Sequence, residues 1–171
     1  MKIAILGSGG REHAIAYAIS KSKKIEKIFC LPGNAGTDII AENIIIDINN
    51  FEQVYNFLKR EKINFVVVGP EQPLVDGIVD YLQKFDIKVF GPDKMSSQLE
   101  GSKIFTKNLC EKYNIPTANF GTFKTKEDTI KFLKKANHPI VIKADNLASG
   151  KGVYICKNLD ESTNACLLYT S

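Results

Sequence analysis

The sequence lacks the features that mark secreted, membrane-spanning and zinc-binding proteins. Its four cysteines, Cys30, Cys110, Cys156 and Cys166, lie far apart, without a Cys-x-x-Cys pair or a histidine at ligand spacing. This argues against a disulfide framework and a zinc site. No apolar run approaches the roughly 18 residues of a membrane helix, and the N-terminus lacks the longer apolar region of a signal peptide. We therefore expect a cytoplasmic protein with buried thiols and no membrane association.

Arginine is scarce, and the positive charge is dispersed. The 171 residues include 23 basic and 19 acidic side chains, for a formal charge of +4. The densest basic run, Lys21-Ser22-Lys23-Lys24, has no arginine and no interleaved aromatic residue. Nucleic-acid surfaces normally cluster Arg and Lys, so we expect no nucleic-acid partner. With 44% hydrophobic residues, 12 glycines and 6 prolines, the composition is that of an ordinary globular protein.

Short apolar runs alternate with amphipathic helical stretches over the first 90 residues. The helical pattern is clearest from Phe51 to Lys62, where apolar residues recur at spacings of three and four after Asn50, a suitable N-cap. Near-continuous apolar strands separated by helices are typical of a parallel sheet covered on both faces. The predicted strands are Ile3–Leu6, Ile28–Leu31, Ile44–Ile48, Phe65–Val68 and Val89–Phe90.

The pattern changes near Glu100, where we place a domain boundary. We expect a first domain over residues 1–100 and an incomplete second domain over residues 101–165. The predicted elements of the second domain are a helix from Ser102 to Tyr113, a strand from Asn119 to Phe123, a helix from Lys126 to Lys135, and strands Ile140–Ala144 and Val153–Cys156.

The first predicted strand runs into Gly7-Ser8-Gly9-Gly10-Arg11-Glu12-His13, a glycine turn that begins a helix. Glycine lets the backbone approach an anion, and a helix N-terminus offers unpaired N–H groups, so the pattern predicts a phosphate site. A turn required only for packing is the alternative. The dinucleotide fingerprint would need a third glycine in place of Glu12 and an acidic residue where Leu31-Pro32-Gly33 stands. NAD is therefore disfavoured.

Two further loops, Pro32–Thr37 and Gly69–Leu74, follow predicted strands. Loops at the carboxyl ends of parallel strands line the crevice where open α/β sheets bind ligands, so we expect all three loops to meet at one edge. Glu71 is suited to accept hydrogen bonds from ribose hydroxyls, and a solvated surface carboxylate is the alternative.

Lysines of the second domain stand beside glycine turns and a strand end. Lys103 follows Gly101-Ser102, Lys143 ends a predicted strand, and Lys151 lies in a glycine loop. An ammonium group neutralises phosphate oxygens, so this placement indicates a triphosphate site, although each lysine alone is equally a surface charge. The loop is not a P-loop, which would need a glycine at position 145 and a hydroxyl at position 152.

Five segments, taken in order, resemble the signatures of the phosphoribosylamine–glycine ligases: Gly7–Ala14, Pro32–Thr37, Gly69–Glu71, Leu99–Lys103 and Ile142–Asp145. The resemblance covers residues 1 to about 160. It implies an α/β fold, with a parallel-sheet preATP-grasp (Rossmann-like) domain followed by the start of an ATP-grasp domain. It also implies an ATP-dependent carbon–nitrogen ligase of purine biosynthesis, which joins glycine to phosphoribosylamine through a glycyl phosphate and gives glycinamide ribonucleotide, ADP and phosphate.

The resemblance assigns ligands to the motifs and leaves the catalytic residues and the oligomeric state open. It implies Mg²⁺ or Mn²⁺ to neutralise charge during phosphoryl transfer. The residues implied to bind phosphoribosylamine are Ser8, Gly9, Gly10, Arg11, Asn34 and Glu71. The residues implied to bind the ATP phosphates are Lys103, Lys143, Ser149, Gly150, Lys151, Gly152 and Val153.

The chain departs from the family pattern in three ways. Asn146 and Ser149 replace a glycine and an alanine of the usual ATP loop, and we expect ATP binding to survive, since asparagine tolerates positive φ. The family's metal ligands, adenine pocket and glycine site have no counterpart before Ser171, so we expect the chain alone to be inactive. Residues 166–171 match a reading frame of a transposon-end sequencing adapter, which predicts a non-native tail on a fragment; a native helix end is the alternative.

Two other functions stay open at this point. Another ATP-grasp enzyme, such as a carboxylase of the purine or biotin pathways, would share a comparable first domain but is not expected to carry Gly-Gly-Arg-Glu-His-Ala. A non-catalytic nucleotide- or sugar-phosphate-binding module is the second, and tight ATP binding by this chain alone would favour it. An unfinished sheet with an exposed edge would instead give an unstable fragment.

Overall fold

The computed structural model describes residues 1–147 and 152–167. The chain divides into two compact units, Met1–Gln98 and Leu99–Ser171. In chain order, the elements that begin in the first unit are β1 (Lys2–Gly7), α1 (Gly10–Ser20), β2 (Lys27–Pro32), β3 (Glu42–Asn43), α2 (Phe51–Glu61), β4 (Phe65–Val68), α3 (Glu71–Asp76), α4 (Ile78–Gln83), β5 (Lys88–Phe90) and α5 (Lys94–Gly101).

The five strands of the first unit form one parallel sheet in the order β3-β2-β1-β4-β5. Ile5 of β1 lies opposite Cys30 of β2 on one side and Val67 of β4 on the other. The chain therefore builds outward from β1 in both directions, and the order reverses between β1 and β4. In open parallel sheets this reversal leaves a crevice outside the carboxyl ends of the strands. The predicted parallel α/β sheet is confirmed.

Side chains of β1 alternate between two buried clusters, one on each face of the sheet. Ala4 and Leu6 belong to the cluster that includes Leu58 of α2, whereas Ile3 and Ile5 belong to the cluster with α1. Burial on both faces requires an apolar residue at almost every strand position. This explains why the strands are visible in the sequence as continuous apolar runs.

Helix α2 begins where the sequence predicts. Its N-cap Asn50 accepts a hydrogen bond at Oδ1 from the Gln53 N–H at 3.1 Å, which satisfies one of the donors that lack an intrahelical acceptor. The helix ends at Glu61, and Lys62 follows in the left-handed region with φ 57°. The prediction is confirmed, with the last residue acting as the C-cap.

The predicted strand Ile44–Ile48 is wrong. The strand beside β2 is the two-residue β3, and pairing ends where the Ile44 N–H donates to the Cys30 carbonyl at 2.9 Å. Alternate isoleucines of the run pack against the core, while Ile45 is 87% exposed. An edge segment can thus bury every second side chain without forming a backbone ladder.

The second unit contains α6 (Lys103–Lys112), α7 (Lys126–Leu133), β6 (Ile140–Lys143), β7 (Val153–Cys156) and α8 (Leu159–Leu167). Strands β6 and β7 pair antiparallel, with Ile142 opposite Tyr154. The predicted strand Asn119–Phe123 is wrong, because these residues form no strand. Phe123 instead packs on Phe132 of α7, with ring centroids 4.9 Å apart, so side-chain packing explains the apolar pattern there.

Helix α8 includes two residues of the predicted non-native tail. Cys166 is only 5% exposed and Leu167 is the last helical residue. Residues 168–171 lie outside the described part of the chain, so the tail stays a prediction. Among the helices of residues 1–147 and 152–167, none has the length and apolar character needed to cross a membrane.

Burial predicts how the thiols react. Desolvation raises the pKa of Cys30, Cys156 and Cys166, whereas Cys110 is only half-buried. The thiolate is the nucleophile that attacks a disulfide reagent, and it must be accessible, so we expect such a reagent at about pH 8 to label Cys110 first. Mass spectrometry after partial labelling would locate the site, and Cys110→Ser should remove the fast phase. Fast labelling of Cys30 would contradict the buried position of β2.

Candidate functional site

Loops after β1, β2 and β4 meet at the carboxyl edge of the sheet. Asn34, after β2, donates from Nδ2 to the Ser8 carbonyl at 2.9 Å and to the Gly9 carbonyl at 3.3 Å. Arg11, in the first turn of α1, donates from Nη2 to the Gly69 carbonyl after β4 at 3.0 Å. The predicted meeting of the three loops is therefore confirmed.

An ion pair spans the point where the strand order reverses. Arg11 Nη1 donates to Glu71 Oε1 at 2.8 Å, and the two side chains are 63% and 44% exposed. The hydrogen bond from Arg11 lowers the pKa of Glu71, and the same bond raises the pKa of Arg11. Both groups are thus charged at neutral pH and accessible from solvent. Because the pKa of Glu71 is lower in the folded protein, the ion pair stabilises the fold above about pH 4.3, the pKa of an unperturbed glutamate. This stabilisation is lost as the pH falls through the lower pKa that Glu71 has in the folded protein.

The glycine turn presents backbone donors beside this pair. Residues Ser8 to Arg11 are exposed, and Gly10 is the first residue of α1. N–H groups in the first turn of a helix have no intrahelical acceptor, and the dipole makes this end favourable for an anion. The Gly9 N–H is an exception, because it donates to Glu12 Oε2 at 2.5 Å. The N–H groups of Gly10 and Arg11, two exposed residues of this first turn, can therefore face a phosphate.

The amide of Asn34 is fully engaged with the protein backbone. Besides the two bonds from Nδ2, its Oδ1 accepts from the Gly36 N–H at 2.7 Å and from the Thr37 N–H at 3.0 Å. Asn34 thus holds its own turn and ties it to the glycine turn after β1. Contact between Asn34 and a substrate stays a prediction. In the structure, the Asn34 side chain holds the two turns together.

Glu12 is a residue that the motif analysis misses. It is 3% exposed, and a Cβ on Gly7 would lie 2.7 Å from its Cγ. Gly7 has φ +123°, a conformation that glycine adopts without strain. A glutamate three residues after the N-cap Gly9 is half of a capping box, and that spacing is a signal from which the contact could have been predicted.

Thr37 and Asn43 support the second loop from below. Thr37 is fully buried, and its hydroxyl accepts from the Asn34 N–H at 2.7 Å and lies 2.7 Å from Asn43 Oδ1. The Asn43 amide in turn donates to the Asn34 carbonyl at 2.8 Å. The hydroxyl oxygen also lies 2.9 Å from the Asn34 carbonyl, so its proton can go to either of these two acceptors. These contacts form a closed polar network under the loop.

A second polar cluster lies within the second unit, at the mouth of the β6–β7 hairpin. Asp145 Oδ1 accepts from the Ile104 N–H and from Ser102 Oγ, both at 3.0 Å, and so caps the N-terminus of α6. Lys103 Nζ donates to the Asn146 carbonyl at 2.8 Å. These hydrogen bonds connect the N-terminus of α6 to Asp145 and Asn146, at the start of the predicted ATP loop.

Part of the predicted ATP loop flanks this cluster. Lys143 is exposed at the end of β6, opposite the exposed Val153. Gly152 has φ +90°, and its carbonyl accepts from the Ala144 N–H at 3.1 Å. Ser149, Gly150 and Lys151 lie outside the described residues. In residues 1–147 and 152–167, no group of three or more His, Cys, Asp or Glu side chains is arranged to hold a metal ion.

Comparison with protein families matches both parts of the chain. Residues 1–100 match the model described as phosphoribosylglycinamide synthetase, N domain. Residues 101–167 match the model described as phosphoribosylglycinamide synthetase, ATP-grasp (A) domain. The predicted order of a preATP-grasp domain and the start of an ATP-grasp domain is confirmed.

Individual relatives point the same way. The chain is 46% identical over 162 residues to the phosphoribosylamine–glycine ligase of Caldanaerobacter subterraneus subsp. tengcongensis, an alignment that covers 95% of this chain and 39% of that protein. The crystal structure of the phosphoribosylamine–glycine ligase of Thermotoga maritima is similar at a TM-score of 0.77 and 36% identity, over 96% of this chain and 38% of that one. The chain thus spans about two fifths of the length of these relatives.

Other enzymes share the fold at lower identity. A carboxyaminoimidazole ribonucleotide synthase from Aspergillus clavatus, solved in complex with ATP, has a TM-score of 0.72 at 18% identity and matches 99% of this chain and 44% of that one. This likeness concerns the fold alone.

Proposed function

The chain belongs to the phosphoribosylglycinamide synthetase family, and from this membership we propose that it carries the sugar-phosphate site and part of the ATP site of a phosphoribosylamine–glycine ligase. The observation that supports this most directly is the contact of Arg11 with Glu71 and Gly69 across the β1/β4 edge. It puts a cation, a carboxylate and a helix N-terminus within one crevice.

In the proposed sugar-phosphate site, each group has a distinct role. The N–H groups of Gly10 and Arg11 bind the phosphate of phosphoribosylamine at the N-terminus of α1. Glu71, ionised at neutral pH, accepts hydrogen bonds from the ribose hydroxyls. Asn34 keeps the turn at Ser8 and Gly9 in place by binding both carbonyls. Residues 1–100 would thus hold the amine that attacks the activated carboxylate.

In the proposed ATP site, Lys103 and Lys143 neutralise phosphate oxygens, and the Ser149–Val153 loop covers them. ATP would supply the phosphoryl group that converts the glycine carboxylate into an acyl phosphate, the electrophile for the amine. We assign residues 101–165 to this side of the reaction. The resemblance to the family implies that Mg²⁺ or Mn²⁺ would be held by segments of the longer relatives that this chain does not cover.

The test is the binding of ribose 5-phosphate, a stable stand-in for the unstable phosphoribosylamine. We expect titration calorimetry to show binding by the chain, and Arg11→Met to weaken it about tenfold, since the variant loses a hydrogen-bonded cation. Arg60→Met is the matched control, because Arg60 lies on α2 and pairs with Glu61 at 3.2 Å. Equal affinity in the Arg11→Met variant, or no binding by the wild type at millimolar sugar phosphate, would reject the assignment.

A further inference from the structure

The carboxylate of Glu12 lies under the proposed sugar-phosphate loop with one oxygen uncommitted. Its side chain is 4% exposed, and Oε2 accepts from the Gly9 N–H at 2.5 Å. The other oxygen, Oε1, is buried and has no hydrogen-bond partner among the residues that the structure describes. A buried charged oxygen without a partner is costly. Its location next to the site therefore calls for a compensating interaction.

Three glycines leave the space that this carboxylate fills. A Cβ on Gly7 would lie 2.7 Å from Glu12 Cγ, and one on Gly9 would lie 2.8 Å from Oε2. From the other side of the crevice, a Cβ on Gly69 would lie 2.5 Å from Cδ. The loops after β1 and β4 thus enclose Glu12 together, which sets the carboxylate at the reversal point of the sheet.

The nearest cation to the uncommitted oxygen is Arg11, whose Nε lies 3.8 Å from Oε1. The two Nη atoms of the same guanidinium donate to Glu71 and to the Gly69 carbonyl. Because the guanidinium is planar and its donors are fixed in a fork, the two hydrogen bonds set its plane, and the nearby negative charge of Glu12 favours that position. We propose that Glu12 is a positioning residue that holds the Arg11 guanidinium over the crevice from the buried side.

This role rests on the proposed function and explains how one arginine serves a site that also uses Glu71. Glu71 is exposed, and exposed ion pairs hold long side chains weakly. When ribose hydroxyls bind Glu71, Arg11 keeps Glu12 as its anionic partner. In this structure Nε lies 3.8 Å from Oε1, so the attraction is electrostatic and not a hydrogen bond. The guanidinium then stays over the crevice beside the proposed phosphate site.

The chain offers a direct test, because Arg11 and Arg60 are its two arginines and give two side-chain Nε–H signals in a ¹⁵N spectrum. Arg60, whose side chain is 70% exposed on α2 and whose Nε–H donates to Glu61 Oε1 at 3.2 Å, is the internal reference for a guanidinium held only by an exposed ion pair. We expect the ¹⁵N heteronuclear NOE of Arg11 to exceed that of Arg60 in the wild type. Glu12→Gln should lower it toward the level of Arg60, since glutamine keeps an acceptor for Gly9 and removes the charge, while the bonds from Arg11 to Glu71 and Gly69 remain. Glu52→Gln, in the first turn of α2, is the matched control and should change nothing.

The same variants decide the role in binding. We expect Glu12→Gln to weaken ribose 5-phosphate about fivefold while circular dichroism shows a wild-type melting curve. An unchanged Arg11 signal together with unchanged affinity would overturn the proposal and leave Glu12 a filler of space. If Glu12→Gln does not fold, the wild type still decides, because an Arg11 as mobile as Arg60 would contradict the proposal. If the wild type binds no sugar phosphate, the proposed function fails, and the NOE comparison continues to test Glu12.

Discussion

Replacement of Gly33 by alanine is expected to destabilise the first unit by about 3 kcal/mol. Gly33 has φ +76°, where a residue with a Cβ is strained. The added Cβ would also lie 2.5 Å from Asn43 Cγ and 2.8 Å from Thr37 Oγ1, both of which belong to the polar network under the second loop. The backbone strain and the close contacts of the new Cβ both destabilise the variant, because neither Asn43 nor Thr37 can move away without breaking its hydrogen bonds.

Urea denaturation followed by circular dichroism would measure the effect of Gly33→Ala as a lower midpoint. Gly10→Ala is the matched control for stability, since a Cβ there meets nothing within 4 Å and its φ is not positive. We expect that control to change the free energy of unfolding by less than about 0.5 kcal/mol, because alanine suits a helix start. Equal midpoints for the two variants would show that the loop adjusts freely, contrary to the structure.

Thr37→Val is expected to cost about 2 kcal/mol of stability, although valine has nearly the same shape as threonine. The variant removes the hydroxyl that accepts from the Asn34 N–H at 2.7 Å and pairs with Asn43 Oδ1 at 2.7 Å. Thr37 is fully buried, so water cannot replace the lost partner. Because Asn34 holds the Ser8 carbonyl, we also expect weaker ribose 5-phosphate binding.

Thr37→Ser is the matched partner of this variant, since it keeps the hydroxyl and loses only a methyl group. We expect it to retain the network, with a loss of about 1 kcal/mol from the missing methyl. Denaturant midpoints and sugar-phosphate affinity, measured side by side, separate the two causes. A valine variant more stable than the serine variant would mean that packing of the methyl group, and not the hydroxyl, holds the loop.

Sequence patterns predicted the sheet well where both faces of a strand are buried. The predicted strand Phe65–Val68 is confirmed with the same bounds as β4. A strand that is buried on both faces needs an apolar residue at almost every position, so it is visible in the sequence as a short apolar run. The Ile44–Ile48 run looks the same in sequence, yet it lies at the edge and pairs with nothing after Ile44. The apolar content of a segment indicates whether its side chains are buried. Whether its backbone pairs with a strand depends on the position of a neighbouring strand.

The candidate site likewise has features that the sequence predicts and features that it does not. The three loops could be predicted to share an edge, since the carboxyl ends of parallel strands meet there. The partners of individual side chains could not. Asn34 was expected to contact substrate, and its amide is engaged by four backbone groups. Glu12 stands in the sequence as a departure from a fingerprint and as half of a capping box, and neither pattern predicts that two loops close around its buried carboxylate.

By itself, the sequence determined the α/β class, the order of the two family segments and the glycine turns, because periodicity, turn chemistry and motif order are local properties. The tertiary structure alone decided that Arg11 pairs with Glu71, 60 positions away, and that Asn34 reaches Ser8, 26 positions away. Burial of Glu12 likewise depends on Gly69, which the order of strands brings beside β1. Such contacts follow from which strands become neighbours, and no local pattern encodes that choice.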